Sequence, residues 1–285
     1  MKIKKVLDDL VVEVTRKCNL ACKHCLRGPA QNKDLNIEGF KKDFKKNIEK
    51  YIEGDYINSI TFTGGEPFLN IDTMKEVFDY ITKEKEINIG NFYIVTNGTK
   101  FSIKALNLLT YFYESCVDNG ISMLKISNSP YHIEERGEKI EIDNWDDFIL
   151  CDTERFQDIK EIDNNIEDEE KLDELYDERI EEIYEMIDDV ETLRKIEVDN
   201  DNPDAYNYLL YQGNAATNKL AKKENKPRNR NDIEEAWEDG EKDIEKITLY
   251  YSADRTIIDG YCDYSYDTIK KQRQKNNKEN NKRFI

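Results

Sequence analysis

The stretch Cys18-Asn-Leu-Ala-Cys22-Lys-His-Cys25 places three thiols and the His24 imidazole within eight residues. Thiols spaced by four and three residues converge on a metal when a loop turns each side chain inward. On one continuous helix the same positions share a face, so the spacing by itself also fits plain packing. Two metal chemistries are open. With His24 as a fourth ligand the set makes a closed zinc site, since zinc accepts three Cys and one His. Alternatively each thiolate holds one iron of a 4Fe-4S cluster and the fourth iron lacks a protein ligand. His24 and Cys25 are adjacent and point in different directions on most backbones, which weighs against zinc.

The elements that must position this loop are legible in the hydrophobic periods. Val11 to Val14 is a short apolar run that ends at the cysteines. Phe40, Phe44, Ile48 and Tyr51 recur at helical spacing within Ile37 to Ile52. Ile57 to Phe62 reads as a strand, Met74 to Ile81 as a helix and Asn91 to Val95 as a strand. Ala105 to Tyr113 is a further helix and Met123 to Ser127 a further strand. Alternation of this kind predicts an α/β fold with parallel strands joined by right-handed crossovers.

Glycines and polar residues then fall at the carboxyl ends of these strands, the edge where parallel sheets bind ligands. After the second strand comes Thr61-Phe-Thr-Gly64-Gly65-Glu66-Pro67, and after the third comes Val95-Thr96-Asn97-Gly98. Paired glycines let a backbone approach a ligand closely and expose its peptide groups, although a lone pair fits a tight turn equally well.

Taken together and in this order, these motifs resemble the radical SAM enzyme superfamily. The resemblance rests on Cys18, Cys22 and Cys25 with the flanking Thr15-Arg16 and Asn19-Leu20, then on TFTGGEP and IVTNG, and it covers roughly Asp8 to Gly137. It implies a partial (β/α)6 TIM-like barrel, one 4Fe-4S cluster on Cys18, Cys22 and Cys25, and S-adenosyl-L-methionine chelating the open iron. By the same resemblance Gly64, Gly65 and Glu66 receive the amino group of the methionine moiety, and His24 lies against the adenine. Ser127 matches a serine near the ribose or carboxylate, and Thr96 and Asn97 line the pocket. The family often has an aspartate two residues after that serine, where this chain has Ser129. The implied chemistry is reductive cleavage of S-adenosyl-L-methionine to a 5′-deoxyadenosyl radical, which abstracts a hydrogen atom from substrate. The implied partners are a reduced electron donor such as a flavodoxin or ferredoxin and a peptide or small-molecule substrate. The cofactors carry the hard chemistry, so no serine triad or general base is needed, and His24 and His132 are the only histidines. His132, just past the fourth strand, reads as either a substrate contact or a surface residue.

The second half names less. Leu172, Leu175, Tyr176, Ile183, Met186, Ile187, Val190 and Leu193 form an apolar stripe on an acidic helical segment, more a packing surface or lid than a catalytic element. Asp199-Asn-Asp-Asn-Pro203 marks a boundary, and Gly213 with Asn214 falls where some family members have Gly-Arg-Ala. Ile244 to Tyr251 and Thr256 to Ile258, joined by Ser252 to Arg255, read as a hairpin. Asp259-Gly-Tyr-Cys262-Asp263 resembles the start of an extension that carries auxiliary clusters in peptide-modifying members. With Cys116 and Cys151 far off in sequence, however, only one cluster is expected. The expected division is a core over 1–135, an acidic helical insertion over 136–202, the rest of the core with a C-terminal hairpin over 203–267, and a basic, disordered tail over 268–285.

Bulk composition limits the alternatives. Sixty-one acidic against 43 basic residues in 285 give a net charge of -18, which argues against backbone-driven nucleic-acid binding. Six cysteines with half of them in one loop do not form a disulfide framework, and a reducing, cytoplasmic setting follows. No run of eighteen apolar residues is present, and neither a signal peptide nor a membrane span is expected. Two other readings stand beside the peptide one: the same chemistry on a nucleotide or small metabolite, and a non-catalytic metal-binding interaction module.

Overall fold

A computed structural model describes residues 4–100, 102–118, 120, 122–140, 196–199, 213–218, 220, 244–260 and 264–282. Among the described residues seven strands form one sheet: β1 (Lys4–Thr15), β2 (Tyr56–Gly64), β3 (Asn88–Thr96), β4 (Met123–Ser127), β5 (Ile196–Asp199), β6 (Ile244–Tyr251) and β7 (Ile257–Asp259). Their lateral order is β5-β4-β3-β2-β1-β6-β7, and every neighbouring pair is parallel except β6 with β7. The alternating periods are thus realised as a mixed α/β fold in which, among the described residues, β5 is the last strand on one side and the expected hairpin lies on the other. The hairpin turn is fastened by Ser252 N–H to Thr256 O at 3.0 Å and Arg255 N–H to Ser252 O at 2.8 Å.

One face of the sheet is apolar because its strands carry hydrophobic residues at alternate positions. Leu10, Val12 and Val14 of β1, Ile60 and Phe62 of β2, Phe92 and Ile94 of β3 and Leu249 and Tyr251 of β6 form one core with the helices. Those helices are α1 (Ile37–Asp43), α2 (Ile71–Asp79) and α3 (Ile103–Ser115). Asn36 caps α1 by accepting the Gly39 N–H at 2.6 Å, and Ser102 caps α3 by accepting the Ala105 N–H at 3.1 Å. Phe112 of α3 stacks on Phe78 of α2 at 4.4 Å and on Phe62 of β2 at 5.3 Å. Each such pair contributes about 0.5–1.5 kcal/mol beyond burial. The intervening positions form a second, more polar face with Asp9, Glu13, Ser59, Thr61, Thr63 and Thr248.

Three expectations need correction. β1 begins at Lys4 rather than at the apolar run, because Asp9 is not a break. It accepts from the Ser59 hydroxyl at 2.6 Å and the Thr248 hydroxyl at 3.2 Å, one on each neighbouring strand. Next, the span 136–202 is not wholly a helical insertion. Ile196 to Asp199 pairs in register with Leu124 to Ser127, and the short alternation was masked by the acidic residues around it. Finally, the tail is helical over α6 (Tyr266–Lys282). Tyr266 and Ile269 pack against Val11 and Tyr250 on the polar face, and the helix is free of Gly and Pro. The acidic stripe residues Leu172 to Leu193, Cys151, Cys262 and residues 209–212 lie outside the described residues. No helix among the described residues is long and apolar enough to cross a membrane.

Candidate metal and cofactor site

The cysteine loop leaves the end of β1 and is tied to the end of β2 backbone to backbone. A bulge between Glu13 and Thr15 shifts the ladder, after which Thr15 pairs with Gly64. Gly65 N–H then donates to Thr15 O at 2.9 Å, and Glu66 N–H to Lys17 O at 2.8 Å. A Cβ at Gly64 would stand 2.2 Å from Thr15 O, and one at Gly65 would stand 2.1 Å from Lys17 O. What the two bare glycines admit is therefore the backbone of the cysteine loop itself. The base of the loop is closed on its far side by Arg16 N–H to Lys33 O at 2.7 Å and Leu35 N–H to Val14 O at 2.9 Å.

Glu66 joins this assembly to the third strand. Its side chain is fully buried and accepts from Phe68 N–H at 3.1 Å, the Thr96 hydroxyl at 2.8 Å and Asn97 N–H at 2.7 Å. Burial pushes its carboxyl up to about 7, outweighing these three donors. Thr96 and Asn97 are likewise buried, and the Asn97 amide points back to the loop, 3.8 Å from Cys18 Sγ and 3.1 Å from Asn19 Oδ1.

Within the loop, Cys25 N–H donates to Cys22 O at 3.2 Å and Gly28 N–H to Cys25 O at 3.3 Å. The short helix α5 (Gly213–Thr217) clamps it from outside: Asn214 N–H meets Cys25 O at 2.8 Å, Asn214 Nδ2 meets Cys22 O at 3.0 Å, and Asn218 Nδ2 meets Lys23 O at 2.9 Å. Asn214 is thus a loop clamp. Removing its side chain in Asn214→Ala should loosen the loop by about 1 kcal/mol. Hydrogen exchange at Cys25 and Gly28 should then speed up about fivefold while α2 and α3 are unchanged. Unchanged loop protection would contradict the clamp.

Two of the three thiols are held protonated by their surroundings. Burial pushes the Cys22 thiol up to about 12, and the neighbouring Cys25 and Cys18 push the same way. Burial is also the leading cause that raises Cys18. Among the described residues no three His, Cys, Asp or Glu side chains gather around one point as a single-ion site requires. A 4Fe-4S cluster asks each thiolate for a different iron, and three thiols on one pinned loop fit that donor set.

His24 extends away from the loop onto α4 (Pro130–Arg136). Its ring stacks on Tyr131 at 4.8 Å and meets His132 edge-on at 4.5 Å. Ser129, the N-cap of α4, brings its hydroxyl to 2.7 Å from His132 Nδ1 and 3.4 Å from His24 Nε2. His24 Nδ1 is buried without a hydrogen-bond partner. Burial lowers His24 to about 4 and His132 to about 3, so both rings are neutral at physiological pH. His132 is thus a partner of His24 and Ser129. Ser127 is placed at the sheet edge, where its carbonyl accepts from Arg136 Nη1 at 3.1 Å.

Behind the loop lies a buried charged set that the sequence reading passed over. Arg16 Nε donates to Glu13 Oε2 at 3.0 Å, its Nη2 lies 3.4 Å from Asp254 Oδ2, and its guanidinium stacks on Tyr266 at 4.6 Å. Glu13 Oε2 also accepts Ala253 N–H at 2.8 Å, which fastens the hairpin turn to the root of the loop. Arg136 was missed as well. Its guanidinium joins Asn97 O, just past β3, to Ser127 O and Asn128 Oδ1 at the end of β4, a convergence that no local pattern shows.

With this geometry in place, comparison with known proteins adds one decisive finding: residues 12–112 match the model of the Radical SAM superfamily. This segment belongs to that superfamily. It spans the cysteine loop, TGGEP and TNG, and ends within α3. An uncharacterized protein of Methanocaldococcus jannaschii is 34% identical over 97 residues, covering 33% of this chain and 32% of that protein. YydG of Bacillus subtilis, provisionally named a peptide biosynthesis protein, is 27% identical over 122 residues, covering 42% of this chain and 35% of that one. The chain therefore spans about a third of the length of these curated relatives. The crystal structure of Streptococcus suis SuiB bound to precursor peptide SuiA gives a TM-score of 0.34 at 16% identity, covering 48% of this chain and 28% of that one.

Proposed function

We propose that this chain is a radical SAM enzyme that holds one 4Fe-4S cluster on Cys18, Cys22 and Cys25 and acts on a peptide. The observation that carries the reading is the three-thiol loop zippered to TGGEP and, through Glu66, to TNG, all within the segment of the superfamily. When bound, the cluster and S-adenosyl-L-methionine supply an electron and a 5′-deoxyadenosyl radical for hydrogen abstraction, the electron coming from a reduced donor such as a flavodoxin or ferredoxin.

The chain's own contribution is to bind and orient. Gly64, Gly65 and Glu66 present the β2 end to the methionine moiety, with the backbone groups as the accessible part and the Glu66 carboxylate as the buried brace. His24 turns its flat ring to the adenine while Tyr131 and Ser129 hold it. Ser127, Thr96 and Asn97 complete the edge. The likeness to YydG supports a peptide as the substrate. The expected division of the chain keeps its core over 1–135, with the remaining strands of the sheet supplied by β5, β6 and β7.

The reading is tested on protein purified without oxygen and reconstituted with iron and sulfide. Brown protein with about four irons per chain is expected, and Cys18→Ala, Cys22→Ala or Cys25→Ala should each lose most of that iron. A colourless wild type that retains one zinc instead would overturn it.

A further inference from the structure

We propose that Asn97 donates a hydrogen bond to the Cys18 sulfur that sets the reduction potential of the bound cluster, and that Arg136 is the positioning residue that keeps Asn97 there. This inference rests on the cluster reading above. The Asn97 amide cannot turn over. Its Oδ1 accepts from Thr99 N–H at 3.0 Å and from the Thr99 hydroxyl at 2.6 Å. A backbone N–H only donates, so the oxygen must face Thr99 and Nδ2 must face the loop. Asn19 completes the circuit, since its Nδ2 donates to the Thr99 hydroxyl at 2.5 Å while its Oδ1 accepts from Asn97 Nδ2 at 3.1 Å. The second Asn97 amide hydrogen is left for Cys18 Sγ at 3.8 Å, within hydrogen-bonding range for sulfur.

The Asn97 backbone is held from both sides. Its N–H donates to Glu66 Oε2 at 2.7 Å, and its C=O accepts from Arg136 Nη1 at 2.6 Å. Arg136 is itself fixed by Ser127 O at 3.1 Å, Asn128 Oδ1 at 2.5 Å and Glu138 O at 3.2 Å. The guanidinium therefore spans the ends of β3 and β4 and acts on the sulfur through Asn97. Hydrogen bonds to cluster sulfurs stabilise the more negative, reduced state and raise the potential.

The test is a redox titration of the reconstituted full chain, followed by electron paramagnetic resonance. Asn97→Asp keeps the oxygen that faces Thr99 and removes the donor, and the midpoint should move to a more negative potential. Asn97→Ala should move it the same way. Arg136→Met should produce a smaller shift in that direction, Arg136→Lys should recover part of it, and Arg136→Met added to Asn97→Ala should produce no further shift. Unchanged midpoints in both Asn97 variants would overturn the hydrogen bond. A full Arg136→Met shift persisting beside Asn97→Ala would overturn the positioning role, because the guanidinium charge would then act directly. Failure of the wild type to load a cluster would instead sink the cluster reading itself.

Discussion

Gly65→Ala is expected to destabilise the metal-free protein by about 3 kcal/mol or more and to prevent the cysteine loop from loading iron. The added methyl group would lie 2.1 Å from Lys17 O, a backbone atom that no rotamer change can move aside. Relief requires breaking the Gly65-to-Thr15 and Glu66-to-Lys17 bonds, which separates β2 from the loop. Gly54→Ala is the matched control: nothing lies within 4 Å of its Cβ position, and only its φ of 64° is unfavourable. That strain costs about 1–2 kcal/mol. Urea unfolding of both variants, with iron counted after reconstitution, separates the two effects. Equal stability of the two variants, with iron retained in Gly65→Ala, would contradict the close approach.

The second large effect concerns Glu66 and pH. Its carboxyl is pushed up to about 7 by burial, against an ordinary value of 4.5. A folded-state value above the unfolded one means that the folded protein holds this proton more tightly between the two. The stability it contributes is complete below about pH 4.5 and is lost as pH rises through about 7, on the order of 3 kcal/mol in all. Glu66→Gln has no proton to lose, and its amide nitrogen must face either Phe68 N–H or Asn97 N–H, donor against donor. The wild type should therefore exceed the variant in unfolding free energy most at pH 4.5 and least at pH 8. A difference that grows with pH would show that the three hydrogen bonds outweigh burial.

Those two residues also show how far sequence reaches. The position of Gly65 was legible from its place after a strand, whereas its reason, the approach of Lys17, belongs to a neighbouring strand end. β2, β3, β4 and the helices α1 to α3 follow from local hydrophobic period, because each buries one face in a common core. β1 was cut short and β5 overlooked where acidic residues diluted the period. In β1 the compensation for Asp9 is two hydroxyls contributed by other strands. The helix α6 escaped notice because, among the described residues, its apolar anchorage is Tyr266 and Ile269 in an otherwise polar run. At the site, the cysteines, His24, Glu66 and Asn97 were legible as motif residues. Arg136 and Tyr131 were not, and the clamping role of Asn214 was not, since the Asn97, His24 and Cys22 groups that they touch lie far away in the chain.

Incubating the reduced, cluster-loaded chain with S-adenosyl-L-methionine tests the central claim most directly, because it reads the reaction rather than the fold. The account predicts that the wild type releases 5′-deoxyadenosine and methionine and that Cys22→Ala releases neither. Wild-type protein with an intact, reduced cluster that leaves S-adenosyl-L-methionine uncleaved would contradict it.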